Sequence, residues 1–184
     1  MTKMVKGSLF SEYVRMIKKA KNADFSRHLA PEDQKYMQQQ ILASNWYPLQ
    51  SYEHLGIAIL HEIVKGDLHS IRLWGKASFN ELVKVYRHLV KPGDPASSIR
   101  TFDRLKAGFF NFDALEIEQP SDTIAQLTLS IAETNAAKEA IAYQMTGMVE
   151  RLLELSGARN IEYVFEGRQN ANDPPSKVTL KWNL

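Results

Sequence analysis

The chain has 184 residues, 44% of them apolar and none of them cysteine, and its 23 Lys and Arg residues against 21 Asp and Glu residues give a net charge of +2. This composition supports a sizeable core and excludes disulfides, thiolate metal sites and cysteine nucleophiles. No stretch approaches the run of about 18 apolar residues that a membrane span requires, so we expect a soluble, cytoplasmic protein that does not bind membranes.

Charge is spread unevenly along the chain. Residues 1–109 hold 17 basic against 10 acidic residues, and residues 110–184 hold 6 against 11. The basic residues stand singly and lack the interleaved aromatic residues of a nucleic-acid surface. We therefore expect a solvated face, or attraction between the two halves, and no nucleic-acid partner.

From residue 8 to about residue 108, apolar residues recur at helical spacing and breakers occur only at a few turn signals. This pattern predicts about five helices. The last of them begins at Asp94, a residue that caps free backbone N–H groups, followed by Pro95, whose missing N–H is no loss in a first turn. We expect this helix to end at Gly108.

After residue 110 the period changes from helical to alternating. Four segments alternate apolar with polar residues, namely 113–118, 123–131, 161–166 and 178–184. The intervening segment 135–156 has helical spacing. The sequence therefore predicts a ββαββ tail, in which a four-stranded antiparallel sheet packs its one dry face against the helix.

The predicted fold class is thus α+β. We expect a single domain over residues 1–184 with two lobes. The helical lobe covers residues 1–109, and the sheet lobe covers residues 110–184 with its four strands and one helix.

The segment 44–65 reads SNWYPLQSYEHLGIAILHEIVK and carries two histidines and a glutamate. A helix here places His54 and His61 opposite the apolar face and about 10.5 Å apart along the axis. Helical metal sites use histidines three or four residues apart, so this pair is too far apart to share an ion. We predict that the segment is a core helix and that the chain has no metal site.

Motifs of catalysis are missing from the sequence, which has no GxSxG elbow, no GxxxxGK[ST] phosphate loop and no GxGxxG. Glu116 and Glu118 share one face of a predicted strand and are either an acid/base pair or part of a solvent face. Because the opposite face is consistently apolar, we favour the solvent face. An enzyme of unrecognised type stays open as an alternative.

Short motifs along nearly the whole chain together resemble those of a family of uncharacterised bacterial proteins expanded in myxobacteria. They are GSLF (Gly7 to Phe10), NWYP (Asn45 to Pro48), KGD (Lys65 to Asp67), LWGK (Leu73 to Lys76), VYR (Val85 to Arg87), PGDP (Pro92 to Pro95), SGAR (Ser156 to Arg159) and VTLKW (Val178 to Trp182). That family is distantly similar to the heme nitric-oxide-binding and 4-vinyl-reductase group of ligand-sensing domains. The resemblance implies a helical N-terminal part packed against a C-terminal antiparallel sheet.

The chain departs from the heme-binding members of that group where they hold heme. The resemblance implies a proximal histidine on the helix that enters the sheet, and a Tyr-x-Ser-x-Arg motif that clamps the heme propionates. Here that helix has no histidine and offers Arg104, Leu105 and Lys106, and the motif does not occur. His88 is the one residue that would rescue heme binding, by turning inward. We predict no heme and no other cofactor, and the missing cysteines exclude a metal role of the 4-vinyl-reductase type.

Aromatic and methionine side chains are expected where the two lobes meet. They are Trp74, Phe79, Phe102, Phe109, Tyr143 and Met145. These residues either line a pocket for an apolar ligand or fill a solid core, and the sequence leaves both open. We interpret the chain as a non-enzymatic sensory or signalling domain that binds a small apolar ligand or a protein partner between the lobes. The alternative is a protein-interaction module, such as a homodimer, with no small ligand.

Overall fold

The computed structural model describes residues 1–131, 134–168, 170 and 173–184. Within residues 1–109 it contains five α-helices, as predicted: α1 (Gly7–Lys19), α2 (Pro31–Gln38), α3 (Leu49–Ala58), α4 (Leu68–Val85) and α5 (Pro95–Lys106). Across the described ranges, no helix is long and apolar enough to cross a membrane.

A small antiparallel sheet in the helical lobe was not predicted. β1 (Met4–Lys6) pairs with β2 (Trp46–Pro48), and Val5 lies opposite Tyr47. Tyr47 is buried and stacks on Phe10 with ring centroids 4.6 Å apart. Strands of three residues are too short to display alternation, so the sequence pattern gave no sign of them.

The helix predicted over residues 49–65 forms, but its last part is not α-helical. α3 continues into a π-helical turn, Ile59–Ile63, in which the Val64 N–H donates to the Ile59 carbonyl at 3.1 Å. The α5 helix begins as predicted, because the Asp94 carboxylate accepts the Ser97 N–H at 2.9 Å, and it ends at Lys106, two residues before the predicted end.

The sheet lobe has the predicted ββαββ arrangement. Its elements are β3 (Leu115–Ser121), β4 (Ile124–Leu129), α6 (Asn135–Leu155), β5 (Arg159–Glu166) and β6 (Lys177–Asn183). The strands form one antiparallel sheet in the order β3-β4-β6-β5. Leu127, Val178 and Leu180 on the inner face are fully buried, whereas Glu116 and Glu118 point to solvent. The predicted α+β fold class is therefore confirmed.

The backbones of α4 and α6 touch where the two lobes meet. A Cβ atom at Gly147 would lie 1.9 Å from the Arg72 carbonyl oxygen, and one at Gly75 would lie 2.2 Å from the Gln144 carbonyl oxygen. Both distances are far below van der Waals contact, so only glycine allows this approach. Beside it, the Glu150 carboxylate of α6 pairs with Arg72 and with Lys76 of α4. The two helices thus make a tight, charge-paired contact between the N-terminal helical part of the chain and the part that carries the sheet.

Candidate ligand site between the lobes

A cavity of about 230 Å³ lies between α1, α4 and α6, and we call it the junction cavity. Leu9, Leu82, Tyr86 and Met148 form much of its apolar wall. α1 and α4 lie within residues 1–109, and α6 lies within residues 110–184. The cavity is therefore a concave, largely apolar space between packed helices, which is the kind of place where small ligands commonly bind.

One wall of the junction cavity contains a buried polar side chain, Gln144. Gln144, which is 2% exposed, accepts a hydrogen bond from the Tyr13 hydroxyl through Oε1. The Tyr13 ring stacks on Tyr52 with centroids 4.0 Å apart. Burial raises the pKa of both phenols above the ordinary value for tyrosine, so both stay neutral. The contact with Tyr13 fixes the position of the Gln144 amide in the wall.

Two serine hydroxyls in the wall of the junction cavity lack partners. Ser78 on α4 is 7% exposed and Ser8 lies in the first turn of α1. Neither hydroxyl has a hydrogen-bond partner within the part of the chain that the structure describes. A buried hydroxyl without a partner costs about 1–3 kcal/mol. Both oxygen atoms have almost no accessible surface, so they do not face the open space of the cavity.

Acidic side chains stand at the edge of the junction cavity. Glu12 and Glu81 line it, and a second cavity of about 260 Å³ shares both residues and Ser78. Burial raises the pKa of Glu12, although its bond to Arg15 acts in the opposite direction. The bond from Lys84 lowers the pKa of Glu81. The charged groups that line the junction cavity itself are therefore carboxylates, whose cationic partners lie outside its wall.

The structure distributes the six residues expected at the lobe junction over several places. Phe79 and Phe102 contact each other edge to face at 6.2 Å. The ring of Phe109 contacts the ring of Tyr86, with centroids 6.4 Å apart, and Tyr86 lines the junction cavity. Trp74 lines the second cavity.

The two remaining residues of that set lie on α6. Tyr143 packs against Phe165 of the sheet at 4.5 Å, and Met145 is buried at 2% exposure. None of the six belongs to the wall of the junction cavity. Their role in binding a ligand stays a prediction, and the wall of the junction cavity was not predicted because its residues come from segments far apart in the sequence.

The histidines of the segment 44–65 are engaged with other side chains. His54 Nδ1 lies 2.6 Å from Oδ2 of Asp33, which is fully buried. The exposed His61 stacks on His28, and His28 Nε2 lies 3.1 Å from Glu62 Oε1. Among the described residues, no group of three or more His, Asp or Glu side chains is arranged to hold a metal ion.

His54 therefore has a structural partner that its predicted position opposite the apolar face did not indicate. We expect His54→Ala to lower the free energy of unfolding by about 1–3 kcal/mol, because it removes a partner of the buried Asp33 carboxylate. His61→Ala is the matched control and should change stability by less than about 0.5 kcal/mol, since its side chain is exposed. Urea unfolding of both variants measures the difference. Equal stability of the two variants would contradict this assignment.

The side chains present do not fit a heme. α5 has no histidine, and His88 lies exposed in the short 3₁₀ turn Arg87–Leu89, beside a shallow cavity that Arg104 also lines. The other four histidines of the chain lie at the surface or are partly buried against carboxylates and each other. Between α4 and α5, the contact of Phe79 with Phe102 occupies space with side chains. No imidazole is thus presented to the interior as an iron ligand.

Comparison with known proteins gives structural matches alone. No family model matches the chain, and no curated protein does. A mutant H-NOX protein from S. oneidensis in the Fe(II) ligation state is 12% identical with a TM-score of 0.65, over 97% of this chain and 96% of that chain. A mutant, Fe(II) unliganded H-NOX protein from K. algicida is 11% identical with a TM-score of 0.65, over 97% of each chain. A structure that probes heme distortion in the H-NOX family is 10% identical with a TM-score of 0.63, over 97% and 95%.

At these identities the likeness shows the fold and nothing more. The chain has an H-NOX-like fold, which agrees with the layout that the sequence resemblance implies. The narrower resemblance, to a bacterial family expanded in myxobacteria, stays a prediction.

Proposed function

We propose that this protein is a non-enzymatic sensory or signalling domain that binds a small apolar ligand between its lobes. The observation that carries the proposal is the junction cavity, whose wall is largely apolar and is built from α1, α4 and α6. The fold supports it, because a matched H-NOX structure concerns heme, which is a bound ligand. Fold alone does not determine function, so the cavity is the main support.

A ligand in this position has a route to a structural response. Ser78 of α4 and Gln144 of α6 both line the cavity. The backbones of these two helices are in contact at Gly75 and Gly147. A ligand that binds better to one arrangement of the two helices shifts the population towards it. The helical lobe and the sheet lobe then change their packing together, which is the signal that a partner protein would detect.

The ligand in this proposal is a molecule other than heme. Histidine is missing from α5, and His88 lies exposed. Tyrosine serves as an iron ligand in some heme proteins, but Tyr13 and Tyr52 stack in the core with pKa values that burial raises. Neither phenol is thus ready to bind iron as an anion.

A second candidate is a protein-interaction module. The observation that favours it is β5, an edge strand on which Val164 is 56% exposed. An exposed edge pairs readily with a strand of another chain. This candidate predicts a homodimer or a heterocomplex that forms whether or not the junction cavity is blocked.

Native mass spectrometry of gently purified protein tests the first proposal. We expect a sub-stoichiometric or full population carrying one small organic molecule, which unfolding releases. Ala43→Trp, at an exposed loop position in the wall of the junction cavity, should abolish that population. Ala136→Trp, at an exposed position on α6 outside the cavity wall, is the matched control and should retain it. Protein without any bound molecule, together with a fragment screen in which no compound is sensitive to Ala43→Trp, would contradict the proposal.

A further inference from the structure

The junction cavity and the second cavity adjoin, and together they form one groove between α1 and α4. Glu12, Ser78 and Glu81 line both cavities. Along α4 the lining residues extend from Trp74 to Tyr86. At a rise of 1.5 Å per residue this length is about 18 Å, or a little over three helical turns. We call this surface the α1/α4 groove.

Apolar side chains are exposed at both ends of the α1/α4 groove. Ala43 and Val85 lie at the junction-cavity end, where Val85 is 74% exposed. Ala77 is exposed at the other end, beside the partly buried Met16 and Trp74. An apolar surface that faces water on a concave part of a protein marks a place where another molecule binds. Because these side chains are not enclosed, the groove is accessible to a segment of a partner protein.

Two carboxylates, Glu12 of α1 and Glu81 of α4, lie in the middle of the groove. Burial raises the pKa of Glu12, and the negative charge of Glu81 raises it further. The two carboxylates therefore repel each other. Glu12 pairs with Arg15 and Glu81 pairs with Lys84, each three residues along its own helix. Exposed pairs of this kind are weak because water screens them, so a cation placed between the two carboxylates is still favourable.

The other charges of the groove place that cation over its junction-cavity half. Arg15 and Lys19 line the second cavity. Within the described part of the chain, the wall of the junction cavity contains the two carboxylates and no cation. A positive side chain over this half meets charges of the opposite sign, whereas over the other half it would also meet Arg15 and Lys19.

We propose that the α1/α4 groove docks an amphipathic helix of a partner protein, which has apolar side chains at both ends of one face and a lysine or arginine between them. The apolar side chains cover the groove near Val85 and near Trp74, and the cation pairs with Glu12 and Glu81. Helices that bind in grooves are recognised in this way, by side chains that recur along one face. This inference goes beyond the proposed function, because it names a protein partner and requires no small molecule in the junction cavity.

Three stapled helical peptides of about 14 residues, each long enough to span the groove, test the docking by fluorescence anisotropy. All carry leucines at both ends of one face, and the central position of that face holds lysine, glutamine or glutamate. We expect the lysine peptide to bind about tenfold more tightly than the glutamine peptide, and the glutamate peptide to bind most weakly.

A charge reversal locates the binding of the cation. Glu81→Lys should weaken binding of the lysine peptide about tenfold or more, and it should make the glutamate peptide the tightest of the three. Glu81 is 41% exposed and pairs with Lys84 of its own helix, so the variant should fold, which circular dichroism checks. Glu116→Lys is the matched control, because it changes the net charge equally at an exposed position outside the groove. It should keep the preference for lysine.

Two valine variants locate the apolar contact. Val85→Asn should weaken binding of the lysine peptide about tenfold, because the apolar side chain that the peptide buries is lost. Val164→Asn, at the exposed valine of β5, is the matched control and should bind the peptide as the native chain does. Loss of binding in Val164→Asn alone would place the docking at the edge of the sheet and overturn the inference.

The remaining outcomes separate this inference from the proposed function. Equal affinity for the lysine and glutamate peptides would overturn the inference, as would failure of all three peptides to bind. A small molecule found by native mass spectrometry would leave the proposed function standing in both cases. A dimer of the peptide-free chain that Glu81→Lys dissociates would assign the groove to a second copy and overturn the choice of partner. Lysine-peptide binding with the expected variant pattern supports the groove even in protein that carries no small molecule.

Discussion

Replacement of Gly147 by alanine is expected to destabilise the protein by about 4 kcal/mol or more, which is exceptional for one methyl group. The reason is steric, because the new Cβ would lie 1.9 Å from the Arg72 carbonyl oxygen and 2.9 Å from its carbonyl carbon. Backbone atoms of a packed helix cannot rotate away as the end of a flexible side chain can. The helices α4 and α6 must separate, and the ion pairs from Glu150 to Arg72 and Lys76 must lengthen.

Thermal unfolding followed by circular dichroism measures this effect. For a chain of this length, 4 kcal/mol corresponds to a fall in Tm of about 10 °C or more. Gly108→Ala is the matched control, because its Cβ would lie 3.3 Å from the Leu105 carbonyl oxygen and meets no other element. A Gly147→Ala protein as stable as the Gly108→Ala protein would show that the two helices do not touch as described.

Separation of α4 and α6 should also alter the junction cavity. Ser78 follows Gly75 on α4, and Gln144 and Met148 flank Gly147 on α6. The close approach of the two backbones thus sets how far apart the walls of the cavity stand. Any Gly147→Ala protein that remains folded should carry less of the small molecule that native mass spectrometry is expected to detect in the native chain.

The sheet lobe was the part of the fold that sequence predicted best. All four strands alternate apolar with polar residues, which places all the apolar side chains of a strand on one face of the sheet. Leu127 and Leu180 are buried on that face. The start of α5 was equally readable, since Asp94 followed by Pro95 is a local signal with a local cause. These features depend on neighbours in sequence, which a single chain displays.

Features that depend on distant neighbours were not predictable. Gly147 was an isolated glycine in the sequence, and only the contact with Arg72, 75 residues earlier, shows why glycine is required there. The junction cavity gave no signal either, because its wall combines residues of α1, α4 and α6 that only the fold brings together. The position of His54 on its helix could be derived from the spacing of the apolar residues. Its contact with Asp33 of α2 could not, because that spacing says nothing about which other helix packs nearby.

Binding of heme would contradict the proposed function. Heme is the ligand to test, because one of the matched H-NOX structures concerns heme distortion. Iron needs a strong axial ligand, and Arg104, Leu105 and Lys106 at the end of α5 supply none at neutral pH. Basic residues of the helical lobe attract the propionates of hemin, but charge attraction alone gives loose association without fixed stoichiometry.

Titration of the purified protein with hemin, followed by absorption spectroscopy, tests this account most directly, with a heme-binding H-NOX protein as the positive control. We expect a colourless protein and a broad hemin spectrum that does not saturate at one equivalent. His88→Ala should leave that spectrum unchanged, since His88 is exposed. A sharp Soret band that saturates at one hemin per chain and disappears in His88→Ala would contradict the account and assign the protein a heme-dependent function.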